Sequence, residues 1–192
     1  AESAIKKAIK LEPENLSLKM KLASFYFNDK RYKASQKIVE KLIEQVPENM
    51  ALKKYLIKIL FAQNQIEQIP LLLEECMEEM KKDVEYNLLA GKYYLFINNP
   101  IIAEEYFKRV VREQTNHFFA HYLLGVTYLL GEHVYLAEQS FIKALSLNPS
   151  FFEAEIAIAD INYKNNEFDF GYEHIKRVID KEPENFRAYL IM

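Results

Sequence analysis

The sequence predicts an all-α solenoid built from stacked antiparallel helix hairpins. Turn prolines recur every 34 residues: Pro13, Pro47, Pro149 and Pro183 share one register, with Lys81 and Thr115 in the two slots between them. Small and large apolar residues recur inside that period at helical spacing. Helix breakers are scarce, with four Gly and six Pro among 192 residues, which disfavours a turn-rich β fold and favours long helices.

A repeat, once present, dictates the architecture. The segments LEPEN (Leu11 to Asn15), QVPEN (Gln45 to Asn49), LNPSF (Leu147 to Phe151) and KEPEN (Lys181 to Asn185) are copies of one turn. With the proline counted as position 32, position 7 holds Leu22, Leu56, Ala90, Leu124 and Ile158. Position 8 holds Ala23, Ile57, Gly91, Gly125 and Ala159, and position 11 holds Tyr26, Leu60, Tyr94, Tyr128 and Asn162. These three positions make one apolar stripe, on a first helix, A. A second helix, B, carries Ser35, Ile69, Ala103, Ala137 and Gly171 at position 20 and Val39, Leu73, Phe107, Phe141 and Ile175 at position 24. Its position 27 holds Ala8, Leu42, Cys76, Val110, Ala144 and Val178. Small residues at 8 and 20 let the two backbones approach, and the large ones at 11 and 24 fill the space beside them. One hairpin cannot cover both stripes, so neighbours must stack.

Taken in order, residues 1–15 form a partial helix B, five repeats span 16–49, 50–83, 84–117, 118–151 and 152–185, and 186–192 begin a further helix A. The repeat at 50–83 is the weakest, with Ile57, Ile69, Cys76 and Lys81 at its motif slots, and its Pro70 falls in the first turn of helix B, where a missing N–H is tolerated. Neither end carries a polar capping helix. The expectation is a single solenoid excerpted from a longer array, with raw ends open to self-association.

At these residues the chain resembles the tetratricopeptide repeat family, whose motif is Leu-Gly at 7 and 8, Tyr at 11, Ala at 20, Phe at 24, Ala at 27 and Pro at 32. The repeat at 118–151 fits best, through Leu124, Gly125, Tyr128, Ala137, Phe141, Ala144 and Pro149. The family's frequent Trp at position 4 is replaced by Lys19, Lys53, Asn87, His121 and Glu155, and Asn162 replaces the tyrosine of the last repeat. Local repacking accounts for these departures. The resemblance implies a right-handed superhelix whose inner wall binds other proteins.

Composition narrows the function classes. The net charge is −3 with the two signs interspersed. No basic block is available to neutralise a phosphate backbone, so nucleic acid is not an expected partner. No apolar run approaches the ~20 residues that span a bilayer. The acidic-and-basic run from Glu74 to Lys82 reads as a solvated helix face. The single cysteine, Cys76, excludes an internal disulfide framework and leaves the compartment open.

Catalytic, cofactor and metal sites are not expected. His117 and His121 are four apart but lack the intervening Glu and further ligands of a zinc site. Cys76 stands at a small buried slot with no base partner implied. Asp160 and Lys164 are an i,i+4 pair and read as helix support. No glycine-rich phosphate loop occurs.

By the resemblance, the inner wall is formed by positions 2, 5, 9, 12 and 13. The resulting partner-binding residues are Phe27, Lys54, Lys58, Phe61, Leu88, Lys92, Leu95, Phe96, Phe119, Tyr122, Val126, Leu129, Glu153, Asp160 and Tyr163. The strip is apolar in the third and fourth repeats, with lysines towards one end and carboxylates towards the other. It suits an extended peptide or an amphipathic helix with apolar anchors and an acidic segment facing Lys54, Lys58 and Lys92. Part of it is ordinary core, since positions 12 and 13 can be covered by the next helix A. The carboxylate clamp of chaperone-binding family members is missing in both registers, which read Lys54, Lys58, Leu89, Phe119, Leu123 and Met20, Ser24, Tyr55, Glu85, Leu89. The sequence thus points to a protein-interaction scaffold. The alternatives are a regulatory or substrate-presenting arm of a larger enzyme, such as a glycosyltransferase or peptidase, or a bacterial envelope or export protein.

Overall fold

A computed structural model describes residues 1–191. Met192, placed in the last partial helix by the sequence, lies outside the described residues. Among those residues the chain is helical throughout its regular structure, and it divides into two compact units, 1–81 and 82 onward.

The first unit contains α1 (Glu2–Leu11), α2 (Leu16–Asn28), α3 (Tyr32–Gln45) and α4 (Met50–Ala62), then a 3₁₀ turn (Ile66–Gln68) leading into α5 (Ile69–Cys76). The second contains α6 (Val84–Phe96), α7 (Pro100–Glu113), α8 (Phe118–Leu130), α9 (Val134–Leu147), α10 (Phe152–Lys164), α11 (Phe168–Lys181) and α12 (Phe186–Ile191). Within each unit every helix packs against its neighbours in sequence, the arrangement expected of stacked hairpins.

Both turns of the period are chemically specified. At four of the turns the side chain at position 34 caps the next helix A: Asn15 accepts from Leu18 N–H, Asn49 from Leu52, Asp83 from Tyr86 and Asn185 from Ala188. His117 fills the same role through Nδ1, which accepts from Ala120 N–H at 3.1 Å. Each cap satisfies one of the orphan N–H groups of a helix start. Between helices A and B, position 15 is left-handed: Lys30, Asn64, Asn98, Glu132 and Asn166 have φ between 57° and 63°. In each repeat the N–H of position 16 returns to the carbonyl of position 11, as in Arg31 to Tyr26 and His133 to Tyr128, both at 2.8 Å. That bond closes a Schellman-type end and stops helix A.

The slots pack as complementary volumes. Every residue at positions 8, 20 and 24 of the five repeats is buried. Position 8 faces position 24: a Cβ on Gly91 would fall 2.5 Å from the Phe107 ring, and Gly125 meets Phe141 in the same way. Burying a phenylalanine of this kind stabilises by roughly 2–3 kcal/mol. In the first repeat the polar Ser35 at position 20 is reconciled with burial by donating to the Ala23 carbonyl at 2.8 Å.

The second repeat departs from this plan. Pro70 lies in the first turn of α5, as its sequence position predicts, but α5 ends after eight residues. The run from Glu74 to Lys82 is therefore not one solvated helix face: residues 77–82 are turns, and only the first three residues of the run are helical. Glu78 and Glu79 would have sat at the negative end of a longer helix, an unfavourable place for carboxylates. Glu78 instead pairs locally with Lys81 at 2.7 Å.

Candidate partner-binding surfaces

In the first unit, Phe27 is half-buried on α2, with its ring 5.4 Å from Tyr32 and 5.9 Å from Tyr55. The Lys58 ammonium stands 5.6 Å from the same ring, within cation–π range. Lys54, Lys58 and Phe61 are half-buried along α4. This brings Phe27 and Lys58 together on the helix-A face of the unit.

In the second unit, Lys92 on α6 lies 4.9 Å from the Phe119 ring. Phe119 stacks on Tyr122 at 6.0 Å, and Tyr122 meets Phe151 edge-on at 4.9 Å and Phe141 at 5.6 Å. Burial pushes the Tyr122 hydroxyl above its ordinary pKa, against the opposing influence of Arg187. Leu88, Leu95, Phe119 and Tyr122 are half-buried against the core formed by Ala103, Phe107, Leu123 and Leu124. Val126 and Leu129 pack in the same manner on the core around Phe141. These six side chains serve the stack with one side and reach solvent with the other. Phe96 and Leu130, equivalent residues at position 13, are 55% and 46% exposed. At the far end of the unit Glu153 is exposed, whereas Asp160 is bound to Lys164 at 2.6 Å and Tyr163 packs beside Ala159 and Ile175. The acidic rim is thus partly neutralised from within its own helix.

Position 4 holds the feature that sequence reasoning passed over. Three of its polar residues, Lys53, Asn87 and Glu155, are buried. Lys53 pairs with Glu75 at 2.7 Å. Glu155 accepts from Arg177 at 3.1 Å and from His174 Nδ1. Desolvation raises the Glu155 pKa, but the His174 and Arg177 hydrogen bonds outweigh it and hold the carboxyl below its usual range. Both ion pairs join position 4 to position 26, with opposite polarity. The signal lay in the sequence as matched charges 22 residues apart.

The other candidates for chemistry have structural occupations. Beside the capping His117, His121 Nε2 bonds the Thr115 carbonyl at 3.0 Å. Among the described residues no three His, Cys, Asp or Glu side chains converge as a metal site. Cys76 is fully buried, and desolvation pushes its thiol up to about 11. No described helix is long and apolar enough to cross a membrane.

The stacked hairpins, their small-to-large packing and their 34-residue period are those of the tetratricopeptide-repeat fold. The family's sequence profile, described as "Tetratricopeptide repeat", matches residues 120–151, within the repeat that fits the motif best. No curated protein sequence matches the chain significantly. Among solved structures, the chain is similar to PilW, a widely conserved type IV pilus biogenesis factor, at TM-score 0.88 and 17% identity over 98% of this chain and 88% of PilW. It is similar to MamA (41-end) from Desulfovibrio magneticus RS-1 at TM-score 0.79 and 14% identity, covering 90% and 98% of the two chains. It is also similar to YrrB, a tetratricopeptide-repeat protein with an unusual peptide-binding site, at TM-score 0.74 and 15% identity, covering 98% and 97%. At these identities the likeness conveys the fold alone.

Proposed function

We propose that this chain is a protein-interaction scaffold that takes an extended peptide or amphipathic helix on the helix-A faces of its repeats. The fold is typically a non-catalytic interaction module, and proteins of this fold bind protein or peptide partners. The finer reading is supported chiefly by Phe96 and Leu130, two large apolar side chains left exposed at equivalent positions of α6 and α8. Each follows a half-buried leucine, Leu95 or Leu129, so apolar anchors of a ligand would meet apolar surface already held rigid by the core. Lys92 and Lys58, each over an aromatic ring, would favour carboxylates on the ligand.

The experiment is a selection of peptides from a random phage-displayed library on the wild-type chain, followed by titration against the double variant Phe96→Asp, Leu130→Asp. Both positions are solvent-exposed, so helicity and melting temperature should be retained while affinity falls by about tenfold or more. Unchanged affinity in a folded variant would remove this face from the ligand's path.

A further inference from the structure

We propose that a cleft between α1, α2 and α3 is a second receptor site, which takes an acidic side chain and its bulky apolar neighbour from a partner peptide. The cleft measures about 190 Å³ and is lined by Ile9, Leu22, Ile38 and Leu42, with Lys19, Lys41 and Gln45 completing its wall. None of the helix-A groove residues lines it, so its occupation is independent of the proposed groove.

The inference comes from comparing the repeats with one another. Lys19 and Lys41 are positions 4 and 26 of the first repeat. In the second repeat these positions form the ion pair Lys53–Glu75, and in the fifth the pair Glu155–Arg177. The third repeat sets a neutral Asn87 and Arg109 at these positions, and the Arg109 guanidinium lies 4.9 Å from the Tyr106 ring and reaches Glu105 at 3.8 Å. The fourth has His121, held by the Thr115 carbonyl, opposite Lys143. The first repeat alone sets two lysines across this edge. Neither forms a salt bridge among the described residues, and the missing element is a carboxylate.

Volume specifies the rest of the ligand. The cleft is smaller than the roughly 300–1,000 Å³ of small-molecule sites and has room for one large apolar side chain. Position 23, which is His174 in the fifth repeat, is Ile38 here, so the floor is apolar where the fifth repeat is polar. An apolar side chain would rest on Ile9, Ile38 and Leu42, while the adjacent carboxylate would bridge the two ammonium groups, a charge-assisted contact on a partly desolvated rim. A leucine and a glutamate two residues apart, on one face of an extended peptide, meet both demands.

The test uses the whole chain with isotope-labelled isoleucine and leucine methyl groups. It is titrated with an acetylated and amidated peptide of sequence Gly-Ser-Leu-Ser-Glu-Gly, and with the same peptide carrying Gln in place of Glu. The Glu peptide should move the Ile9 and Ile38 methyl signals, and the Gln peptide should bind about tenfold more weakly. Lys41→Glu recreates the arrangement of the second repeat. It should abolish the response while the melting temperature holds or rises, because Lys19 then has an internal partner. Lys41→Gln, which adds no new charge, should weaken binding several-fold. Equal binding of the two peptides, or undiminished binding to either folded variant, would overturn the proposal. So would displacement of the peptide by a tighter-binding fatty acid such as decanoate, which would reassign the cleft to lipid.

Discussion

The fourth repeat and the second solve one packing problem by opposite means. In the fourth, Gly125 at position 8 admits the ring of Phe141 at position 24, and the second helix of the hairpin runs fourteen residues. In the second repeat the same slots hold Ile57 and Leu73, both buried, and helix α5 runs only eight residues after a 3₁₀ turn. The space between the two helices is filled in both cases. What both contacts keep is a filled interior volume, although Ile57 and Leu73 are together bulkier than Gly125 and Phe141; the identity and size of each residue and the length of the second helix vary around it.

The largest expected effect comes from upsetting that volume in either direction. Gly125→Ala pushes a methyl group into the Phe141 ring and should cost about 2–3 kcal/mol. Ile57→Ala removes buried methylene and methyl groups at the equivalent position and should cost about 2–4 kcal/mol. Equilibrium denaturation with urea measures both. Phe141→Leu added to Gly125→Ala should recover a substantial part of the loss, and failure to do so would show that the slots do not trade volume.

A smaller effect separates the repeats at position 27, which is Cys76 in the second and Ala144 in the fourth. The buried thiol is pushed up to about 11 by desolvation. An acid whose folded pKa is raised lends stability that is complete below its unfolded pKa and is lost as pH rises through the folded value. The Cys76 contribution should therefore fade as pH climbs towards about 11, and a Cys76→Ala chain should lose this alkaline sensitivity. At pH 8 alkylation of the native thiol should run about a hundredfold slower than that of an exposed cysteine, because little thiolate forms. Rapid native alkylation would contradict the burial.

The smallest effect is at the turn between helices A and B. Glu132 of the fourth repeat holds φ 60°, a left-handed conformation in which a side chain is strained. Glu132→Gly should stabilise by about 0.5 kcal/mol, the relief of strain less the entropy of a freer unfolded chain. Asn64, at the equivalent turn of the second repeat, tolerates the conformation better, so Asn64→Gly should gain less on thermal denaturation.

Much of the fold was written in one dimension. Pro47 and Pro149 mark turns that the structure contains, and the buried residues at positions 8, 20 and 24 are those that the period places on the facing stripes. The capping Asn15, Asn49 and Asn185 are visible within the repeated turn, although their hydrogen bonds to the next helix exist only in the folded chain. The wall residues were less legible. Leu88, Phe119 and Tyr122 belong partly to the core, and sequence spacing cannot apportion a side chain between a neighbour and solvent.

By itself the sequence determined the helical period, the hairpin unit and the slots through which each pair of helices meets, because these depend on local propensity and on an apolar pattern repeated every 34 residues. Only tertiary structure decided which polar groups lie buried, which aromatic faces remain open and where α5 stops. Those outcomes depend on distances between residues far apart in sequence. Lys53 is neutralised by Glu75, whereas the two lysines of the first repeat flank an apolar cleft, and that contrast exists only once the helices have packed.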